Sequence, residues 1–155
     1  MSYDTSLGEQ STPYKALDVE PVSSPQALAA CFRKAYPKRL PLVERFYVLA
    51  VDAACRPLGK PLLVSQGDNR GCDAPPSAIM RLVLSEPLAC AFAVCHNHPS
   101  GDTMPSTADA AVTQRLVAAG KLLDLPLHDH IILGCSKAAG ERWVSLRQTN
   151  PSLFS

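Results

Sequence analysis

The sequence has no apolar run as long as the roughly 18 to 20 residues that a membrane-spanning helix needs. Its first residues, Met1 to Glu9, have neither a basic start nor an apolar core, which argues against a secretory signal peptide. The six cysteines include no Cys-x-x-Cys pair, so reduced thiols are favoured over a disulfide framework. The sequence therefore predicts a cytoplasmic protein that does not span a membrane.

The chain also has little net charge, since 15 basic and 14 acidic residues give a formal charge of +1. Nucleic-acid binding depends on neutralising phosphates and usually leaves a strongly basic footprint. The one basic cluster, at residues 33–39, is typical of a solvated surface. The composition thus disfavours a dedicated nucleic-acid-binding protein.

What the chain does contain is an alternation of helical and extended patterns, within a length of 155 residues that suits one domain. We expect a flexible N-terminal segment at 1–23, a domain at 24–148 and an irregular C-terminal tail at 149–155. The predicted helices begin near residues 24, 76 and 107, and the predicted strands cover 44–51, 61–65, 88–95, 127–133 and 142–146. This order predicts an α/β or α+β class, with a central sheet flanked by helices.

The segment with the clearest chemistry runs from Cys95 to Asp109 and reads CHNHPSGDTMPSTAD. His96 and His98 follow a predicted strand, and residues two apart on a strand point to the same side. Asp109 returns after a loop rich in proline and glycine, at the start of the next predicted helix. Two imidazoles and one carboxylate could hold a metal ion and leave a fourth position for water, which is typical of catalytic zinc sites.

Simpler interpretations of the same residues remain open at this point. A His-x-His pair alone is a weak signal, because strand histidines are often polar surface or satisfied core. Ser106 and Asp109 also have the spacing of a helix capping box. Capping and metal binding are compatible, because Ser106 could cap the helix while Asp109 turns toward the metal.

The pattern His96-x-His98-x7-Ser106-x2-Asp109 resembles the JAMM (MPN+) metalloprotease motif. The fuller string His-Asn-His-Pro-Ser-Gly-Asp, followed by Pro-Ser, Asp109 and Thr113, closely resembles the RadC branch of that superfamily. Similar features extend over roughly residues 42–147. The resemblance implies a single JAB/MPN-like domain of the cytidine-deaminase-like type, with a central mixed sheet.

The resemblance also implies roles for particular residues. His96, His98 and Asp109 would hold Zn²⁺, and Glu44 would act as general base and then as general acid. Ser106 would donate a hydrogen bond to the oxyanion of the tetrahedral intermediate. The substrate would be a peptide or isopeptide bond, as in a protein that carries a ubiquitin-like modifier.

His128 and His130 could form a second metal cluster, although supporting the fold or the metal ligands is the role that we favour for them. The alternative function is that of a RadC-type protein associated with DNA repair, which would act as a binding module without catalysis. The substrate, the pathway and the oligomeric state stay open.

Overall fold

The computed structural model describes residues 19–67, 73–136 and 140–155, which form a five-stranded sheet with helices on both faces. In chain order the elements are α1 (Pro25–Arg33), β1 (Arg45–Val51), β2 (Leu62–Gln66), α2 (Pro76–Leu84), β3 (Ala91–His98), α3 (Thr107–Leu122), β4 (Leu127–Ser136), β5 (Gly140–Ser145), α4 (Leu146–Thr149) and a 3₁₀ helix (Pro151–Phe154).

The strands lie in the order β2-β1-β3-β4-β5. β3 and β4 are parallel, and the other neighbouring pairs are antiparallel. Parallel neighbours need a long crossover connection, and α3 provides it between β3 and β4. The prediction of a central mixed sheet flanked by helices is therefore confirmed.

One face of the sheet is covered by α1, which begins where the sequence predicts. Ser24 caps this helix, because its hydroxyl oxygen accepts a hydrogen bond from the Ala27 backbone N–H at 3.1 Å, and proline follows the cap. Phe32 on α1 is fully buried and shares a core with residues of β1, β3 and β4 such as Leu49 and Ile131.

The opposite face is covered by α2 and α3. Ile79 of α2 and Leu116 of α3 pack with Phe92 and Val94 of β3 in a second core. Ala91, Ala93 and Cys95 of the same strand belong to the α1 core instead. The alternation along β3 therefore assigns its even-numbered positions to the face covered by α2 and α3.

Several element boundaries differ from the prediction, and two of the differences concern β3 and the C-terminal tail. The strand expected at 88–95 covers Ala91–His98, because its pairing with β4 continues as far as His98 opposite Gly134. The tail expected to be irregular after Gln148 contains the end of α4 and the 3₁₀ helix. Phe154 packs against the second core and lies 4.3 Å from the Arg147 guanidinium carbon, measured to the ring centroid.

Some predictions lie outside the described residues. These are the flexible character of residues 1–18, most of a turn that the sequence Gly-Asp-Asn-Arg-Gly predicts at 67–71, and residues 137–139 of a segment at 135–141 that resembles a small insertion before the last strand. The thiols of Cys31, Cys55, Cys90 and Cys95 are free. Of the helices that the structure describes, none is both long and apolar enough to cross a membrane.

A close contact at the end of α3 generates a first prediction. A Cβ atom added at Gly120 would clash with the Leu125 carbonyl oxygen and lie 3.3 Å from a ring carbon of Phe92. Alanine gains about 1 kcal/mol over glycine in helix propensity, but this backbone clash must be relieved by shifting the start of β4. We expect Gly120→Ala to lower the free energy of unfolding by about 1 to 3 kcal/mol in urea titrations.

The matched control is Gln114→Ala, at an exposed position of the same helix. It should change stability by less than about 0.5 kcal/mol. A Gly120→Ala variant as stable as the wild type would show that the α3–β4 connection adjusts freely.

Candidate metal centre

His96 and His98 lie at the C-terminal end of β3, on the face of the sheet that α3 covers. They continue the even-numbered series begun by Phe92 and Val94, whose side chains are fully buried. His96 is itself completely buried, whereas the His98 side chain is 17% exposed at the strand end. Their Nε2 atoms lie 2.9 Å apart, so the pair faces one common point. The sequence prediction that both rings project to the same side is confirmed.

Asp109 reaches this point from the first turn of α3 through a capping box. The Ser106 hydroxyl oxygen accepts a hydrogen bond from the Asp109 backbone N–H at 3.1 Å. In return, Asp109 Oδ2 accepts hydrogen bonds from the Ser106 backbone N–H and hydroxyl, each at 2.7 Å. These bonds hold the carboxylate in a single orientation and satisfy donors that the helix start would otherwise leave unpaired.

The same carboxylate faces both histidines. Asp109 Oδ1 lies 3.0 Å from His96 Nε2, and Oδ2 lies 3.3 Å from His98 Nε2. Two ligands of a tetrahedral ion at about 2 Å lie about 3.3 Å apart, so this spacing suits shared coordination. Among the described residues, these three form the one cluster of at least three His, Cys, Asp or Glu side chains that could hold a metal ion.

The electrostatics of the cluster favour a cation. Although burial raises the pKa of Asp109, the hydrogen bonds that His96 and His98 can donate in their protonated forms lower that pKa to well below its usual range. The same interaction between protonated His98 and Asp109 raises the pKa of His98. His98 Nδ1 lies 2.7 Å from the Asp102 carbonyl oxygen, which can only accept, so the neutral ring presents an Nε2 lone pair to the cluster. The residues therefore fit a metal with nitrogen and oxygen ligands.

Glu44 lies beside this cluster, one residue before β1 begins. Its Oε1 is 3.7 Å from His96 Nε2, and its side chain is 20% exposed. Burial raises the pKa of Glu44, and the neighbouring Asp109 carboxylate adds to the increase. The carboxyl group is thus close enough to exchange a proton with a small molecule at the cluster.

Asn97, between the two histidines, holds the segment that carries Glu44. Strand alternation turns its buried side chain to the other face, where Oδ1 accepts from the Arg45 backbone N–H at 2.8 Å. Its amide nitrogen donates to the carbonyl oxygens of Pro41 at 3.3 Å and Val43 at 3.1 Å. The sequence reading did not assign Asn97 this role, because its partners are more than 50 residues away.

A groove of about 720 Å³ opens over the site. Glu44, His98, Ser106 and Asp109 line it, and it extends along α3 as far as Arg115. The residues predicted as metal ligands, base and oxyanion donor are therefore all gathered at or beneath one groove, while their chemical roles stay predictions.

His130 contacts the cluster from β4, and among the described residues it belongs to no second group of candidate metal ligands. Its Nε2 lies 2.8 Å from His96 Nδ1, and its ring is completely buried. Burial holds the pKa of His130 well below its ordinary value. The cluster of His96, His98 and Asp109 does not include His128, in agreement with the interpretation that we favoured from the sequence.

Comparison with known proteins agrees with this geometry. A family model described as a RadC-like JAB domain matches residues 22–151. A UPF0758 protein of Trichormus variabilis is 36% identical over 128 residues, which cover 83% of this chain and 51% of the relative. A UPF0758 protein of Methanosarcina mazei is 38% identical over 127 residues, 81% of this chain and 51% of the relative. The chain thus spans about half the length of these curated relatives.

The three hydrogen bonds that the Asn97 side chain makes with residues 41–45 lead to a second prediction. Asn97→Leu keeps the side-chain size but leaves one buried N–H donor and two carbonyl oxygens without their partner. We expect the free energy of unfolding to fall by about 2 to 4 kcal/mol in denaturant titrations. Asn150→Leu, at an exposed position, should cost less than about 0.5 kcal/mol. Equal stability of both variants would show that the hydrogen bonds of Asn97 do not stabilise the fold.

The raised pKa of His98 generates a third prediction. Metal binding requires a neutral imidazole, so the metal must displace a proton that His98 holds more tightly than usual. Below that raised pKa, we expect the apparent zinc affinity to decrease about tenfold for each unit of falling pH. Competition titrations against a chelator of known pH dependence, from about pH 8 to about pH 6, measure this slope. An affinity that stays constant across that range would contradict it.

Proposed function

The chain belongs to the RadC-like JAB domain family, and on that premise we propose that it is a zinc-dependent hydrolase of peptide or isopeptide bonds. The observation that carries this proposal is the 3.7 Å distance from Glu44 Oε1 to His96 Nε2 beside the groove. A metallohydrolase needs a proton-transfer group within reach of its metal ligands, and Glu44 meets that requirement.

Zinc is the metal that the donor set supports best. Two imidazole nitrogens and one carboxylate suit Zn²⁺, whereas Mg²⁺ and Ca²⁺ prefer sets made of oxygen atoms. Three protein ligands are also the usual number at a catalytic zinc site. A zinc ion bound there would polarise the scissile carbonyl group and lower the pKa of the attacking water.

Glu44 would act on protons twice in each turnover. As a carboxylate, it would accept a proton from the attacking water, and as a carboxylic acid it would return that proton to the leaving amine. Its raised pKa supports this role, because it makes the carboxylate a stronger base toward the attacking water, and proton transfer is most efficient when the pKa of the catalytic group lies near the working pH. The hydrogen bonds of Asn97 support the role further by holding the backbone on both sides of Glu44.

Ser106 would stabilise the oxyanion of the tetrahedral intermediate. Its hydroxyl lines the groove and donates to Asp109 Oδ2. Rotation about the Cβ–Oγ bond would redirect that hydrogen toward the substrate, while the backbone N–H of Ser106 continues to hold Asp109. Ser106 can therefore change partner without releasing the metal ligand.

The shape of the groove supports an extended protein segment as substrate. The groove offers apolar surface at Ala108, Ala111 and Val112, together with the charged side chains of Asp73 and Arg115. A peptide backbone with mixed side chains would find complementary groups there. The isopeptide bond to a ubiquitin-like modifier is one substrate of this class.

A fourth prediction tests the proposal through metal content and hydrolysis in parallel. We expect about one zinc per wild-type chain by elemental analysis, and loss of that zinc in His96→Ala and Asp109→Ala. Glu44→Gln should retain the metal but hydrolyse fluorogenic isopeptide-linked substrates about 10² to 10⁴ times more slowly, because the amide cannot take a proton.

Two outcomes would contradict the proposal. Absence of zinc from the wild type, even after reconstitution, would remove the metal site. Zinc without hydrolysis, combined with tight DNA binding that weakens steeply with salt, would support the alternative of a RadC-type binding module associated with DNA repair.

A further inference from the structure

We propose that Thr113 and His130 are positioning residues that fix the tautomer of His96, so that its Nε2 lone pair faces the metal site. The inference rests on the proposed metal site and concerns how the protein prepares one ligand. The contacts run in a chain from the Asp109 backbone, through Thr113 and His130, to His96.

The chain starts at a carbonyl group, which fixes the direction of every following hydrogen bond. The Thr113 hydroxyl donates to the Asp109 carbonyl oxygen at 2.6 Å, one helical turn earlier. A hydroxyl group has one hydrogen, so Thr113 Oγ1 can only accept at its second contact. That contact is His130 Nδ1 at 2.7 Å, and His130 Nδ1 must therefore carry the hydrogen.

The His130 ring determines which atom donates in the hydrogen bond to His96. His130 is completely buried, and its two ring nitrogens contact a hydroxyl group and another imidazole. Neither contact supplies the negative charge that a buried imidazolium would need, so the neutral form of the ring is favoured. A neutral ring with its hydrogen on Nδ1 has a lone pair on Nε2. His96 Nδ1, at 2.8 Å, must then donate to it, and in the neutral form of His96 this leaves Nε2 without a hydrogen.

The hydrogen-bond relay from the Asp109 carbonyl group through Thr113 and His130 is needed because His96 has a competing tautomer. With its hydrogen on Nε2, His96 could donate to Asp109 Oδ1, which lies 3.0 Å away. That internal hydrogen bond would occupy both ligand atoms and oppose metal binding. His98 avoids the same problem more directly, since the Asp102 carbonyl oxygen accepts from its Nδ1. The two ligands thus reach one tautomer by different means.

Thr113 offers a clean test, because valine has nearly its shape and lacks the hydroxyl. We expect Thr113→Val to bind zinc about 10 to 100 times more weakly than the wild type in chelator competition. Thr113→Ser retains the hydroxyl and should bind within about threefold of the wild type. A purely steric role would predict the opposite order, since serine leaves a gap that valine fills.

A spectroscopic measurement checks the tautomer itself, even if a variant folds poorly. Long-range ¹H–¹⁵N correlation spectra of the metal-free wild type should show the hydrogen of His96 and of His130 on Nδ1. A hydrogen on His96 Nε2 in that spectrum would overturn the inference. In metal-free Thr113→Val, the His96 hydrogen should move to Nε2.

The results separate this inference from the proposed function. If the wild type binds no zinc, the proposed function fails. If the wild type binds zinc and Thr113→Val binds it equally tightly, the relay is wrong while the metal site stands.

Discussion

The carboxylate of Asp109 is the group on which the site and the start of α3 both depend. It accepts hydrogen bonds from Ser106 that begin the helix, and it faces the Nε2 atoms of both histidines. Because one side chain does both, the helix cannot begin elsewhere without moving a candidate metal ligand. The orientation of this carboxylate is therefore set by the unpaired donors of a helix terminus, which must find partners in any fold.

Strand alternation lets three consecutive residues of β3 serve both faces of the sheet. His96 and His98 point toward α3, whereas Asn97 points the other way and binds the segment before β1. The two candidate histidine ligands and the hydrogen bonds that hold the segment around Glu44 therefore come from the same short piece of backbone. A shift of the strand register by one residue would exchange these faces and abolish both at once.

Much of this arrangement can be predicted from local sequence. The spacing of His96 and His98 and the Ser106–Asp109 capping pattern depend on periods of two and three residues, which hold wherever a strand or a helix forms. The contacts of Asn97 and His130 could not be predicted in this way, because they require the pairing of β1, β3 and β4 across long sequence separations. For the same reason, β3 continues to residue 98, beyond its predicted end, and the tail is helical where the sequence predicts irregular structure. Tertiary pairing and packing decide where such elements end.

The length of α3 has a consequence for how such a chain can diverge. Its first turn carries Asp109, its second carries Thr113, and its end packs tightly on the backbone at Leu125. Inserting one residue within the helix would rotate everything after it by about 100° and carry one end away from its partners. Insertions and deletions are therefore tolerated only in the connecting loops, so relatives with the same chemistry should keep this helix at constant length.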